Sequence, residues 1–319
     1  MQTRQKILAS LEPVLASPVH VSIDDGRLKE AAKEFLSAPV PPWDNDLQFL
    51  GTPEETAYYY FFLDSLNFCF WGPKGKMRWE YKIGEQWVGG YYAFSRAIKD
   101  AFLRDPRFFD AGYLSAIPEE DFREIFAGGR NELLLIPERL AIIRENFSIL
   151  RDTFGGKVLN LLAAADYDTD TLVELLLEYF PSFRDTAEKD GRTLYFLKRA
   201  QIFPSDIFFT GLAPLKLKNL DHLTVFADYK LPQILESLGV LKYSEELNAD
   251  ILSETLIPPG SAKEIELRAG SVIATERMRE EMARLGRSIT TNELDWILWV
   301  RAKQTAFQKP HHKTLTTFY

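Results

Sequence analysis

The stretch Leu223-Thr224-Val225-Phe226-Ala227-Asp228-Tyr229-Lys230-Leu231-Pro232-Gln233-Ile234-Leu235 decides how this chain is read. It opens apolar, sets one carboxylate among aromatic side chains, and follows with a Lys and a Pro. A charge is expensive to hold in such surroundings, so Asp228 needs a partner or a task. One reading is local. Pro232 falls in the first turn of a helix and Asp228 stands just outside it, where a carboxylate serves the unpaired N–H groups. The other reading gives Asp228 a chemical role, with Phe226 supplying a ring to the same pocket.

Working outward, most of the chain has apolar residues at helical spacing. Helices are expected over Gln5 to Leu15 and Asp25 to Leu36, the second closed by the Pro-rich turn Pro39 to Pro42. Thr52-Pro53-Glu54-Glu55 is a helix start: a capping hydroxyl, Pro at the first position, then acids at the positive end of the dipole. That helix is expected to run into Asn67-Phe68-Cys69-Phe70-Trp71 and stop at Gly72-Pro73-Lys74-Gly75. Met77 to Ile83 and Gln86 to Val88, around Gly84-Glu85, read as a hairpin, the one β element expected.

Further helices are expected from Tyr91 to Leu103, after Pro118, from Pro137 to Phe154, and over Leu159 to Ala165 and Thr171 to Phe180. The turn Asp166, Asp168, Asp170 between the last two alternates acids like the start of a calcium loop. It lacks the Gly that such a loop needs at its sixth place, so helix capping is the better account. Thr193 to Phe203 reads as a ring-rich helix carrying Lys198-Arg199. Helices near Ser244 to Leu252, Ser271 to Leu285 and Thr291 to Thr305 complete the pattern. No repeat, linker or composition break interrupts it, so the expectation is a mostly α chain forming a single domain over residues 1–319, with one small hairpin near 77–88.

Composition narrows the function classes. Of 319 residues, 46% are apolar and 26% charged, which is globular rather than disordered. The net charge of −8 speaks against a broad face for duplex nucleic acid, which needs a Lys/Arg surplus, but leaves room for a local phosphate site. The single cysteine, Cys69, makes no internal disulfide and reads as a small buried hydrophobe. Neither a signal peptide nor a membrane span is visible, so a soluble, cytoplasmic protein is expected.

No G-x-S-x-G elbow, phosphate-cradling Gly-rich loop or dinucleotide fingerprint occurs, and four scattered His with one Cys make no convincing zinc site. Neither a metal nor a cofactor is therefore expected. What remains is carboxylates among rings. Asp295 and Trp299 are four apart in an expected helix and share a face. An indole stacks on a flat heterocycle while a carboxylate accepts N–H donors from its edge. The alternative is that Trp299 is core and Asp295 a helix-dipole partner. Lys198-Arg199 is either a solvated helix edge or a phosphate anchor.

Several pieces together resemble the queuosine salvage protein family. They are Phe226 to Gln233, Leu238 to Ser244, Pro181-Ser182-Phe183-Arg184-Asp185, Lys198-Arg199-Ala200-Gln201, Asn67 to Trp71, Leu294 to Trp299 and the tail ending in Phe318-Tyr319. The resemblance spans about Val19 to Tyr319. It implies a helical fold similar to helix-hairpin-helix DNA glycosylases, and hydrolysis of the N-glycosidic bond of queuosine 5′-monophosphate to free queuine for reuse in transfer RNA. It makes Asp228 the catalytic residue, places Phe226 beside it in the base pocket, and assigns Asp295 and Trp299 to further pocket positions. Tyr229 and Asn67 match the pattern as pocket or scaffold residues. The family pattern has a second acid directly after the Trp, where this chain has Val300. Any contact of that acid with the cyclopentenediol or its amine is therefore in doubt here.

Chemistry agrees with that implication. Breaking a ribosyl N–C bond builds an oxocarbenium-like centre, which a preorganised carboxylate stabilises directly or by activating water. A 7-deazapurine has no N7 to protonate, so hydrogen bonds along its guanine-like edge must take up the developing charge. For a 5′-phosphate, Lys198, Arg199, Lys230 and His312 are the candidate cations. The rival readings are a DNA base-excision glycosylase and a non-catalytic module that binds a modified base or nucleotide, which would have no need of Asp228.

Overall fold

Capping chemistry sets most of the helix starts. The computed structural model describes residues 2–42 and 46–319, and within them fourteen α-helices dominate. Thr52 accepts the Glu55 N–H while Glu55 returns to the Thr52 N–H, and this reciprocal box opens the helix Pro53–Ser65. Tyr58, Tyr59, Tyr60, Phe61 and Phe62 of that helix are all buried, so it runs through the core with no wet face. The Asp168 carboxylate accepts the Thr171 N–H at 3.0 Å, the capping role read for the acidic turn, and opens the helix Thr169–Tyr179. Gly155, at φ 62°, ends the helix Ile136–Phe154.

The chain differs from the sequence expectation at several joints. The helix from Pro53 stops at Ser65 and does not reach Gly72. The buried Arg139 guanidinium draws the next carbonyls out of helical register, donating to Leu66 O and Phe68 O at 2.6 Å each. The expected helix over Thr193 to Phe203 is split. Arg192–Tyr195 is a strand paired antiparallel with Thr186–Lys189, and the helix is Lys198–Phe209. Its hairpin turns on Asp190-Gly191, both at positive φ, a strong local hairpin signal that the run of rings obscured.

β structure is thus more than one hairpin. Glu80–Ile83 and Gln86–Gly89 pair as expected, but Gly129–Arg130 adds a third strand. Val21–Ile23 pairs with Leu241–Tyr243 across more than two hundred residues. Two helix starts also move. Ser261 caps a helix Ala262–Arg284 that begins well before Ser271, and Thr290, one residue ahead of the expected start at Thr291, forms the box that opens Thr291–Gln304.

The long helix Ala262–Arg284 positions the site. Buried from Glu264 to Glu276, it carries Arg268 into the centre of one continuous apolar core. Arg268 forks onto Asp185 with bonds of 2.9 and 2.6 Å, and its Nε donates to Ala227 O at 3.0 Å. Asp185 in turn accepts the N–H of Lys198 at 3.0 Å. One buried ion pair therefore fixes both the first residue of the helix Lys198–Phe209 and the backbone next to Asp228. Among the described residues no helix is long and apolar enough to cross a membrane.

Candidate active site

The helices Lys198–Phe209, Lys230–Ser237 and Thr291–Gln304 converge, with the loop after Ser65 and the start of the helix Tyr91–Arg104, on one cavity. It holds about 940 Å³ of non-atom space, solvent at its mouth included. Its rings include those of Phe70, Tyr91, Phe209, Phe226, Tyr229 and Trp299. Eight of the residues singled out in the sequence line it: Asn67, Lys198, Phe226, Asp228, Tyr229, Lys230, Asp295 and Trp299.

Two others are not among the lining residues. The Arg199 guanidinium is fully buried and donates to the carbonyls of Ser65 and Ser182. His312 faces the Tyr319 hydroxyl at 3.4 Å, and burial pushes its pKa down to about 3, so it carries no charge at neutral pH.

Asp228 takes the capping place read for it and also lines the cavity. Its Oδ1 accepts the N–H groups of Lys230, at 2.6 Å, and Leu231, at 3.1 Å, at the head of the helix Lys230–Ser237. Those bonds end on one oxygen; among the described residues Oδ2 has no protein donor, and the carboxylate lines the cavity. Burial raises its pKa, against the lowering pull of Lys198 and the two backbone N–H groups. Lys198 is buried in the same wall, held by Asn67 O at 2.6 Å and Asn67 Oδ1 at 3.1 Å, and desolvation brings its pKa down to about 8.

Asp295 ties the last helix to the Phe226 segment, its Oδ1 accepting the Phe226 N–H at 3.0 Å. Desolvation first, then the charges of Asp228 and Asp206, push its pKa well above the ordinary range. Trp299 stands one turn on, as the spacing required. Trp296 stacks on it at 5.3 Å and Tyr92 meets it edge-on at the same distance, which fixes the indole against the cavity.

Sequence reasoning missed groups at both ends. Deep in the cavity, Asp206 comes from the helix Lys198–Phe209 and accepts from Tyr91 OH at 3.2 Å. Desolvation raises its pKa to about 7, and Asp64, buried behind it, is raised well above its usual value by burial and by Asp206. At the opposite end, Arg78 is exposed while Lys230 and Lys303 are half-buried. Among the described residues none of these three cations has a carboxylate within ion-pair distance. Burial and mutual repulsion bring Lys303 down to about 8 and lower Lys230 as well.

Exposure falls from Arg78, through the half-buried Lys230, Lys303 and Asp228, to the buried Lys198, Asp295 and Asp206, so the three unpaired cations lie toward solvent and two of the acids lie within. Among the described residues no group of His, Cys, Asp and Glu is arranged to hold a metal ion.

Comparison with known proteins gives the arrangement its relatives. The family model described as queuosine salvage protein matches residues 47–319. A Sphaerobacter thermophilus protein named queuosine 5′-phosphate N-glycosylase/hydrolase is 35% identical over 321 aligned positions, covering 99% of this chain and 98% of that one. Proteins of the same name from Dictyostelium discoideum and Bos taurus are 36% and 31% identical, each comparison covering 94% of both chains. On that match, along nearly its whole length, this chain belongs to the queuosine salvage protein family.

Proposed function

We propose that this protein hydrolyses the N-glycosidic bond of queuosine 5′-monophosphate and releases queuine, with Asp228 as the catalytic carboxylate. The observation that carries the reading is the setting of Asp228: a carboxylate with one free oxygen, lining a cavity whose wall also holds rings, buried acids and, nearer solvent, unpaired cations. The mouth takes the 5′-phosphate on Arg78, Lys230 and Lys303, so the sugar reaches Asp228 and the base lies among Phe226, Tyr229 and Trp299. Arg199 and His312 are scaffold in this reading.

Asp228 stabilises the positive charge that grows on the sugar as the C–N bond lengthens, or activates the attacking water. Lys198 and the two backbone N–H groups favour its ionised form. Asp295 accepts the N1–H and amino donors of the guanine-like edge. Those donors favour the Asp295 carboxylate over its protonated form, so base binding draws a proton off the site. Asn67 keeps Lys198 in place. One continuous core supports a single domain, and the relation to helix-hairpin-helix glycosylases and a small-molecule rather than duplex substrate belong to the same proposal.

The test is base release from queuosine 5′-monophosphate, queuosine and guanosine 5′-monophosphate by wild type and Asp228→Asn. The expected result is queuine release, fastest from the monophosphate, and a loss of at least ~10²-fold in the variant. Asn caps helices as well as Asp, so the melting temperature stays near wild type and the loss is chemical rather than structural. Release that survives in Asp228→Asn removes this residue from the mechanism. A folded wild type that releases nothing leaves a binding module instead.

A further inference from the structure

Among the described residues no helix or strand follows Gln304, yet the chain beyond it is not a surface loop. His312, Lys313, Thr314, Thr316 and Tyr319 are buried. Buried irregular backbone needs partners from elsewhere, and the segment from Lys309 to Tyr319 finds them on two walls of the cavity. One wall is the helix Lys230–Ser237, whose first N–H groups hold Asp228. Gln233 Nε2 donates to Lys309 O at 2.9 Å, and the Lys309 ammonium reaches Glu236 at 2.7 Å. The other wall is the loop after Ser65, whose Asn67 holds Lys198. Lys313 Nζ donates to Gly72 O at 3.0 Å, and the Cys69 N–H donates to Tyr319 O at 2.9 Å.

His311 sits between these anchors. Its ring lies on that of Tyr229, with centroids 4.4 Å and planes 30° apart. Tyr229 follows Asp228 in the chain, lines the cavity, and spans the same gap: the Phe70 N–H and the Cys69 thiol both act on its hydroxyl. His311 is not among the lining residues, so it backs Tyr229 rather than meeting a ligand. Its Nδ1 meets His312 O at 2.7 Å; a carbonyl only accepts, so Nδ1 carries the proton and the ring is held in one orientation. Burial first, then the charge of Lys230, brings its pKa down to about 3, so the ring is uncharged at neutral pH.

We propose that His311 is a positioning residue for the reaction: stacked on Tyr229, it sets the spacing between the Asp228 segment and the loop that holds Lys198. The inference rests on the reading of Asp228 given above. Local bonds fix the Asp228 carboxylate only to its own helix, because Lys230 and Leu231 supply both donors. Where that helix start stands against the opposite wall is a matter of tertiary packing, and Tyr229 is the side chain that crosses. Without a ring behind it, Tyr229 gains room to tilt. Asp228 then moves with its neighbour while Lys198 stays where Asn67 holds it. A displacement of about 1 Å at a reacting group costs up to ~10²-fold in rate.

The experiment is steady-state hydrolysis of queuosine 5′-monophosphate by the intact protein and two variants that divide the role of His311. His311→Phe keeps a ring on Tyr229 and loses the N–H donor. His311→Asn keeps a donor for the His312 carbonyl and loses the ring. The expected result is kcat near wild type for His311→Phe and lower by about tenfold to a hundredfold for His311→Asn, with KM within about threefold for both. Thermal melts accompany each variant, and both are expected to fold because His311 is only half-buried. Full activity in His311→Asn overturns the proposal. So does a His311→Phe variant as impaired as His311→Asn, because the stacked ring is then not what matters. A loss confined to KM overturns it as well, since His311 then serves binding, and failure of both variants to fold assigns His311 to the fold alone. A wild type that releases no queuine removes the proposed function and this role with it, whereas an active wild type matched by His311→Asn removes this role alone.

Discussion

Lys198 acts on Asp228 through charge rather than contact. Its ammonium is spent on Asn67, yet it is the largest single influence holding Asp228 ionised against burial. A carboxylate that stabilises a cationic transition state must be ionised, so kcat/KM falls as pH drops through its pKa. Lys198→Met keeps the volume of the side chain and removes the charge, so the Asp228 pKa rises and the acidic limb of the rate profile moves to higher pH. An unmoved limb, with the melt unchanged, would separate Lys198 from Asp228 electrostatically. At this scale the sequence was legible where rings flank acids: Phe226, Asp228, Asp295 and Trp299 reach the cavity as their spacing implied. Arg78, Asp206 and Lys303 were not legible. Each sits among ordinary charges in its own segment, and only long-range packing brings them to one space.

Between residues and the whole stands the joint of Arg268, Asp185 and the two segments they hold. Both side chains are nearly solvent-free, at 3% and 2% exposed, so neither charge has water to fall back on. Arg268→Met leaves Asp185 and Glu264 buried without their cation and frees Ala227 O as well. The expected cost is about 3–5 kcal/mol in denaturant unfolding. Because Asp185 also holds the N–H of Lys198, the loss loosens the cavity wall along with the core. The double change of Arg268→Met with Asp185→Leu should recover part of the stability, since it removes one of the two orphaned carboxylates and leaves only Glu264, but not the placement of Asp228 and Lys198. Elements opened by local caps, such as Pro53–Ser65, were readable from a few residues. The helix Lys198–Phe209 was not, because its N-terminal acceptor, Asp185, comes from an earlier turn and its first residues follow a strand whose rings mimic helical spacing.

Across the whole molecule the net charge of −8 conceals a cationic mouth, and that contrast makes a prediction separable from the chemistry at Asp228. Arg78 arrives from the strand-rich segment after the first core helix, Lys230 from the stretch that carries Asp228, and Lys303 from the last turn of the final helix. Burial first and repulsion among the three cations second lower the proton affinity of Lys230 and Lys303, and none of the three has an acid within ion-pair distance among the described residues. A dianionic phosphate relieves that repulsion, whereas a nucleoside with a free 5′-hydroxyl does not. Lys303→Met and Arg78→Met are therefore expected to raise KM for queuosine 5′-monophosphate about tenfold each, while KM for queuosine changes little. The Lys303 ammonium also lies 5.5 Å from the Trp299 ring, so its removal tests whether stacking and phosphate binding are coupled. A rise for both substrates assigns Lys303 to the base pocket. A rise confined to the monophosphate, shrinking as salt is added, assigns it to the phosphate. If neither variant distinguishes the two substrates, the phosphate is bound elsewhere and the order of charges along the cavity loses its functional meaning.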